Sequence, residues 1–456
     1  MTYQEAIDYL EQTPKKGIIF GLESIRYLLE ALGNPQDELK FVHLAGTNGK
    51  GSVLAYTASI LTQAGYRTGQ YTSPALISKR EQVQINGEWI TKEDFAKLVM
   101  EVKDAISKLG EKGKALPTVY EVETAMAFLY FKKEKCDIVV LETGMGGRDD
   151  ATNVVRNTLI AGFTSISLDH MSHLGETIEE IATVKAGIIK PDSRVVSGIQ
   201  KPSVLGIIES TLLAVQQRSP EESLLVAAVQ EDDIKIIDET PNSQRFTYKD
   251  GEPYTLQMAG RHQAENAAVA LEIVSCLQDL GYLISEDHIQ VGLARTAFFG
   301  RFTLLGEEPL FIVDGAHNEN GVLRLKENLL RLFPNQKMTF IMGIYKDKMV
   351  DKIVETMLPL AKRVFTVSLP HQERTIRAEG LKEICEKWNL KNARKERGGN
   401  GDLEITPCTS IQEAVELSIE SASEEGVVIA FGSLSYLWTV AKFYKEKIEV
   451  ETNNGP

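Results

Sequence analysis

Cysteine is scarce: the 456-residue chain has four, Cys136, Cys276, Cys385 and Cys408, far apart and with no C-x-x-C pair. That spacing argues against a structural zinc module and against a disulfide framework, and it fits a reducing compartment. Long apolar runs are missing as well. No stretch is long enough to cross a bilayer, and the opening MTYQEAIDYLEQ carries Glu5, Asp8 and Glu11 where a signal peptide has its apolar centre. No membrane partner is expected, and the cytoplasm is the expected location. Basic charge is the third deficit. With 50 Lys and Arg against 64 Asp and Glu the net charge is −14. Such a surface repels polyphosphate backbones, so no nucleic-acid partner is expected. An anionic substrate must instead be gathered by local cations and metal ions. Internal repeats and low-complexity tracts are also absent.

What is present reads as a soluble globular enzyme, 43% hydrophobic and 25% charged. The length exceeds one ordinary core, so two domains are expected. Short β-rich runs alternate with longer helical stretches, the pattern of α/β layers. Buried strands are expected at residues 41–44, 137–141 and 158–163, and helices at 53–64 and 119–131. From 221 to 254 the texture becomes short, polar and β-like, as in IKIID and RFTYKD, which suggests an antiparallel elaboration. A helix is expected over 262–280. A second α/β rhythm begins after Phe298-Phe299-Gly300-Arg301, with strands at 310–313, 338–342, 364–367 and 427–431. Strands separated by helices imply mostly parallel sheets with sites at the carboxyl ends of the strands. The boundary is placed near Ala297, giving domains 1–297 and 298–456. Residues 396–403 and 451–456 are candidates for disorder.

The segment Gly46-Thr47-Asn48-Gly49-Lys50-Gly51-Ser52 lies between an expected strand and an expected helix, where a phosphate-binding loop belongs. Glycines let backbone N–H groups converge on phosphate oxygens, and the helix N-terminus adds a favourable dipole. Lys50 is placed to neutralise the β- and γ-phosphates, and Ser52 to ligate magnesium or a phosphate. The loop departs from G-x-x-x-x-G-K-[ST]: Leu44 stands where the first glycine belongs, and Gly51 intervenes between lysine and serine. The competing reading is a glycine-rich turn without a ligand.

Glu142 ends the second strand, where a carboxylate suits magnesium. Asp149, Asp150, Thr152 and Asn153 follow on its loop, and a solvated turn is the ordinary reading of the two aspartates. His170 and His173 are spaced as a zinc pair would be, but no third soft ligand accompanies them, and magnesium rarely takes histidine. On the residues alone, His170 is open between ligand and bystander. Lys185 lies on an amphipathic stretch, where a solvated face is the ordinary expectation.

In chain order, GTNGKGS (46–52), YTSPALIS (71–78), LETGMGGRDDATN (141–153), DHMSHLGETIEEIATVKAGI (169–188), GRHQAENA (260–267), GRF (300–302), DGAHN (314–318) and GSL (432–434) resemble the folylpolyglutamate synthase and dihydrofolate synthase family, relatives of the Mur ligases. The resemblance covers nearly the whole chain. It implies a P-loop-type ATP domain with a mostly parallel sheet, a Rossmann-like C-terminal glutamate-ligase domain, and a reaction in the cleft between them. By the same resemblance, Thr47, Asn48, Gly49, Lys50, Gly51 and Ser52 hold ATP, joined by Asn266, Arg301 and Asp314. Ser52, Ser73 and Glu142 hold magnesium, with His170 at a second ion. Lys185 resembles a lysine that becomes carbamylated, which would make it a metal ligand and part of the catalytic set. His317 and Ser433 are implied near the incoming glutamate or the transferred phosphoryl, and Ser73, Pro74, Tyr120 and Glu121 on the folate side.

Three departures from the family pattern stand out. TSPHL reads Thr72-Ser73-Pro74-Ala75-Leu76, GRLDATN reads Gly147-Arg148-Asp149-Asp150-Ala151-Thr152-Asn153, and the loop after Gly343 reads Ile344-Tyr345-Lys346-Asp347-Lys348-Met349 without a final aspartate. Ala75 bears on the pterin-side contacts; the others leave the phosphate chemistry intact. Ile18-Ile19-Phe20 before Gly21-Leu22-Glu23 lacks the acidic residue that some bifunctional members carry there, which leans towards polyglutamylation alone. The expected reaction joins L-glutamate to a folate, with dihydropteroate as a second candidate acceptor, through an acyl phosphate made with ATP and Mg2+; a monomer is expected. Two other readings are a Mur-type ligase acting on a cell-wall nucleotide precursor, and a nucleotide-binding regulatory module without ligase activity. GTNGKGS and DGAHN fit the folate branch better than the first, and His317 with Ser433 weighs against the second.

Overall fold

The computed structural model describes residues 1–13, 21–216, 226–371, 373–393 and 403–453. The chain forms two α/β units. One is Met1–Lys235 with Phe246–Thr255 and Gln263–Thr296; the other is Ala297–Pro456 with Ile236–Arg245 and Leu256–His262. The last two short segments precede residue 297 in sequence yet group with the second unit.

The first unit is built on eight strands: β1 Phe41–Ala45, β2 Thr68–Tyr71, β3 Val83–Ile85, β4 Glu88–Trp89, β5 Ile138–Glu142, β6 Thr158–Phe163, β7 Arg194–Ser197 and β8 Val226–Ala228. Their order is β4-β3-β2-β5-β1-β6-β7-β8. The pairings β2–β5–β1–β6–β7–β8 are parallel. Strands β1 and β5 are buried at every position, as apolar runs covered on both faces must be. Register places Leu44 beside Glu142 and Ala45 beside Phe163. The loops after β1, β5 and β6 therefore leave one edge together. Strand β2, TGQY, gives no apolar signal in sequence. Its place is set by packing: a Cβ on Gly69 would stand 2.9 Å from the Phe131 ring, so only glycine lets the helix Val119–Lys133 approach.

A three-stranded sheet, β11-β10-β9, is made by β9 Ile234–Thr240, β10 Ser243–Tyr248 and β11 Tyr254–Leu256, within the polar β-like stretch. The second unit carries β12 Thr303–Glu307, β13 Leu310–Val313, β14 Met338–Met342, β15 Ala361–Thr366, β16 Glu404–Pro407 and β17 Val427–Phe431 in the order β12-β13-β17-β14-β15-β16. All neighbours are parallel except β12 and β13. Apolar clusters cover this sheet, one led by Phe340, Met342 and Phe431 and another by Phe311, Ile341 and Tyr436. The expected α/β class with mostly parallel sheets is what forms. The helix Leu437–Asn453 runs through residues 451–453 of the segment expected to be disordered. Residues 454–456, Ile18 to Phe20 and nearly all of 396–403 lie outside the described residues.

Candidate functional site

The first unit gathers its chemistry at the carboxyl edge of β1, β5 and β6. Gly49 caps the helix Lys50–Gln63 with φ 94°, and a Cβ there would lie 2.3 Å from Asn266 Oδ1. Both the left-handed backbone and the close approach require glycine. Thr47 and Asn48 N–H donate to the Ser165 carbonyl at 2.8 and 3.3 Å, which folds the loop back on the segment after β6. The Thr47 hydroxyl donates to Ser167 O at 2.9 Å and accepts the Ser167 N–H at 3.0 Å. Those two loop amides are thus engaged internally. The donors a phosphate would meet are the first-turn amides from Lys50 to Ser52, which have no i−4 carbonyl within the helix. Buried Asn266 packs against Gly49 and donates to Gln263 Oε1 at 3.2 Å, so within this unit it supports the loop.

Two lysines converge on one carbonyl. Lys50 Nζ donates to Gly46 O at 3.1 Å and stands 3.7 Å from Glu142 Oε1; Lys185 Nζ donates to the same oxygen at 2.8 Å. Lys185 is 4% exposed, which corrects the solvated-face reading of its helix. Gly147 lets the loop after β5 pack closely on this helix, since a Cβ there would lie 2.6 Å from Lys185 O. Desolvation, reinforced by the Lys50 charge, lowers the Lys185 ammonium from 10.5 to about 7, against the pull of Asp169 and Asp150.

Asp150, for which a solvated turn is the competing reading, is buried and organises the loop after β5. Its Oδ1 accepts from Thr152 N (3.0 Å), Thr152 Oγ1 (2.6 Å) and the Tyr120 hydroxyl (3.1 Å), and its Oδ2 accepts Met145 N–H (2.8 Å). Burial raises its carboxyl above the ordinary value, opposed by those donors. Thr152 Oγ1 spends its hydrogen on Asp150, so it accepts from His43 Nε2 at 2.9 Å; burial holds His43 neutral, lowered to about 3. The pattern GRLDATN matches Asp150 to its aspartate and leaves Asp149 as the departure, and the ion pair of Asp149 with Arg148 is partly exposed.

Hard oxygen donors are available for a divalent cation. The hydroxyls of Ser52 and Ser73 are buried without a hydrogen-bond partner, and Glu142 is buried at the end of β5. Hydroxyls and carboxylate suit magnesium better than a soft ion. Among the described residues no group of three or more His, Cys, Asp or Glu side chains is gathered as a metal cluster. His170 is exposed with φ 51°, and its N–H donates to Asp169 Oδ1 at 2.8 Å. Of the residues implied on the folate side, Ser73 and exposed Pro74 follow β2. The Tyr120 hydroxyl accepts Gly144 N–H at 2.8 Å while donating to Asp150. Buried Glu121 is engaged in a capping box, with Oε2 accepting Thr118 N–H at 2.7 Å and Oε1 accepting from Ser24. Tyr120 and Glu121 therefore have structural occupations.

In the second unit the residues lie at the carboxyl ends of β13 and β17. Asp314, buried, accepts Phe302 N–H on Oδ2 and Ala316 N–H on Oδ1, both at 2.8 Å. Burial raises its carboxyl, opposed by these amides and by Arg301. Arg301 lies 5.7 Å from the Phe298 ring centroid. His317 Nδ1 stands 2.7 Å from Gly315 O, which accepts, so Nδ1 carries the proton and Nε2 is the basic nitrogen. Ser433 is buried in the Gly432–Ser435 turn; its hydroxyl meets Ser435 Oγ, which in turn meets the Tyr345 hydroxyl, two residues sequence reasoning passed over.

Two family models match: the Mur ligase middle domain over residues 44–274 and the Mur ligase glutamate ligase domain over 300–434. A dihydrofolate synthase/folylpolyglutamate synthase of Bacillus subtilis is 36% identical over 373 residues, 80% of this chain and 85% of that protein. The crystal structure of a folylpolyglutamate synthase from Thermotoga maritima superposes with a TM-score of 0.79 at 32% identity, over 98% of this chain and 97% of that one. A complex of a folylpolyglutamate synthase with AMPPCP and folate superposes with a TM-score of 0.80 at 27% identity, over 98% and 100%.

Proposed function

This chain belongs to the folylpolyglutamate synthase and dihydrofolate synthase family of the Mur ligases, and from that premise we propose how its residues divide the work. The enzyme is an ATP-dependent acid–amino-acid ligase that extends a folate or folylpolyglutamate by one residue; its amino-acid substrate is L-glutamate. A carboxylate does not condense with an amine at neutral pH, because oxide is a poor leaving group. Transfer of the γ-phosphoryl of ATP to the substrate carboxylate gives an acyl phosphate and ADP. The α-amino group of L-glutamate then attacks the acyl carbon, phosphate departs, and the amide remains.

Lys50 and the first-turn amides of its helix hold the phosphates and stabilise charge on the transferring group. The observation that carries this reading is Lys50 Nζ within 3.7 Å of Glu142 at a helix N-terminus beside the unpartnered Ser52 hydroxyl. Magnesium would be held by Ser52, Ser73 and Glu142, with His170 and Lys185 as a carbamate contributing further, and when bound it offsets phosphoryl charge. Lys185 is supported in that role by its depressed basicity, since only a neutral amine takes up carbon dioxide. Arg301 and Asp314 serve the nucleotide. His317 Nε2 receives or orients the proton of the incoming amine, and Ser433 orients the amino acid.

Incorporation of radiolabelled glutamate, tested against tetrahydrofolate, folate, dihydropteroate and a UDP-linked peptidoglycan precursor, examines the reading. Incorporation with folates is expected, and the dihydropteroate lane decides whether the enzyme is bifunctional. Turnover with the UDP-linked acid alone would return the chain to the cell-wall branch. ADP release independent of glutamate and folate would make it a nucleotide-binding module instead.

A further inference from the structure

Three hydroxyls stand in line at the carboxyl edge of the second sheet. Ser433 Oγ lies 2.9 Å from Ser435 Oγ, and Ser435 Oγ lies 2.8 Å from the Tyr345 hydroxyl. Ser433 Oγ also accepts the Ser435 N–H at 3.2 Å. The ends of this chain come from adjacent strands: Tyr345 follows β14 and the serines follow β17, paired with Met342 beside Phe431. The serine turn is held firmly. The buried Tyr436 hydroxyl sits 2.7 Å from Phe431 O and 3.0 Å from Ile341 O, and Gly432 has φ 107° with room for no Cβ, which would meet Gly343 O at 2.4 Å.

Each hydroxyl has one hydrogen to donate, and the distances alone leave either partner of each pair as the donor; one consistent order runs from Tyr345 through Ser435 to Ser433. Among the described residues, Ser435 is the hydrogen-bond partner of the buried Tyr345 hydroxyl. A buried phenol that donated nowhere would forfeit its hydrogen bond with water, and a phenol is a better donor than an aliphatic alcohol. Tyr345 therefore donates to Ser435. Ser435, having accepted, donates to Ser433. In that order Ser433 accepts twice, from the Ser435 hydroxyl and the Ser435 amide, and its own hydrogen points away from the chain. We infer that Tyr345 and Ser435 are positioning residues that make Ser433 a committed hydrogen-bond donor to a carboxylate of the incoming L-glutamate. The inference rests on the reading that Ser433 meets the amino-acid substrate. A lone serine could rotate and accept from the substrate ammonium. Held in this chain it selects the carboxylate and leaves the amine to face the acyl phosphate.

Steady-state kinetics of the full-length enzyme test this. Tyr345→Phe and Ser435→Ala should each raise KM for L-glutamate about 5- to 20-fold, with kcat and KM for ATP within about twofold, because a binding contact is weakened and chemistry is spared. Ser435→Thr, which keeps the hydroxyl, should restore KM. In a Ser433→Ala background neither substitution should add to the effect, since the chain acts through that one oxygen. Unchanged KM for glutamate in both variants, with a raised KM in Ser433→Ala, overturns the inference and leaves the glutamate assignment of Ser433 standing. Additive effects in the double variants overturn it too. A Ser433→Ala enzyme with normal KM for glutamate removes the underlying assignment itself. Ser435→Ala deletes one oxygen from a half-buried turn, so the test holds even where Tyr345→Phe unfolds the chain.

Discussion

Lys185 concentrates the electrostatics of the first unit, because burial and the neighbouring Lys50 both oppose its charge. In carbon dioxide–free buffer this has a signed consequence for stability. Between pH of about 7 and 10.5 the unfolded chain holds a proton that the folded chain has shed, so stability rises with pH across that window; below about 7 the penalty is complete and constant. Replacement by Met should flatten the slope, checked by urea unfolding at several pH values; an unaltered slope would mean the amine is not desolvated. If Lys185 acts as a carbamate, Lys185→Ala should lose most activity, about 100-fold or more, and small carboxylic acids in excess should restore part of it. A fully active Lys185→Arg enzyme would rule the carbamate out, because a guanidinium cannot form it. The local pattern, lysine and glutamates on a short amphipathic stretch, does not place this residue inside; only the family resemblance assigns it to the site, and its burial is a product of the packed fold.

The loops joining strands to helices depend on few positions. Gly49→Ala combines a left-handed φ of 94° with a 2.3 Å approach to Asn266 Oδ1, and should cost about 1–3 kcal/mol of stability or distort the loop. Calorimetric ATP binding should weaken with it, and normal affinity at unchanged Tm would contradict the assigned loop. Asp150→Asn turns an acceptor that receives Met145 N–H and three other donor bonds into a group with an NH2 of its own. A loss of about 2–3 kcal/mol is expected for that mismatch. A raised magnesium requirement should accompany it as the loop after Glu142 loosens, and an unchanged magnesium titration would confine Asp150 to stability. Elements with strong local signals, such as β1, β5 and the helix Lys50–Gln63, were readable from apolar runs and spacing. Strands β2 and β7 were not, since TGQY and RVVS are short or polar and are fixed by the neighbours they pair with.

For the molecule as a whole, the phosphate-side residues fall in one unit and Arg301, Asp314, His317 and Ser433 in the other. If both sets serve one reaction, Arg301→Ala and His317→Ala should lower kcat of the full-length enzyme about 100-fold while the melting temperature stays within a few degrees. Rates within about twofold of wild type for both would confine catalysis to the first unit. The sequence by itself determined the α/β class, the order of the strand–loop–helix segments and the family, because those reside in local periodicity and in short motifs whose glycines, lysines and acids keep their spacing. Tertiary structure alone decided that Asp150 is a buried hub and that two lysines share the Gly46 carbonyl. It alone joined Tyr345 to Ser435 across 90 residues of chain. These are meetings of residues distant in sequence, and their chemistry depends on desolvation and hydrogen-bond direction, which arise only when the strands that carry them are packed side by side.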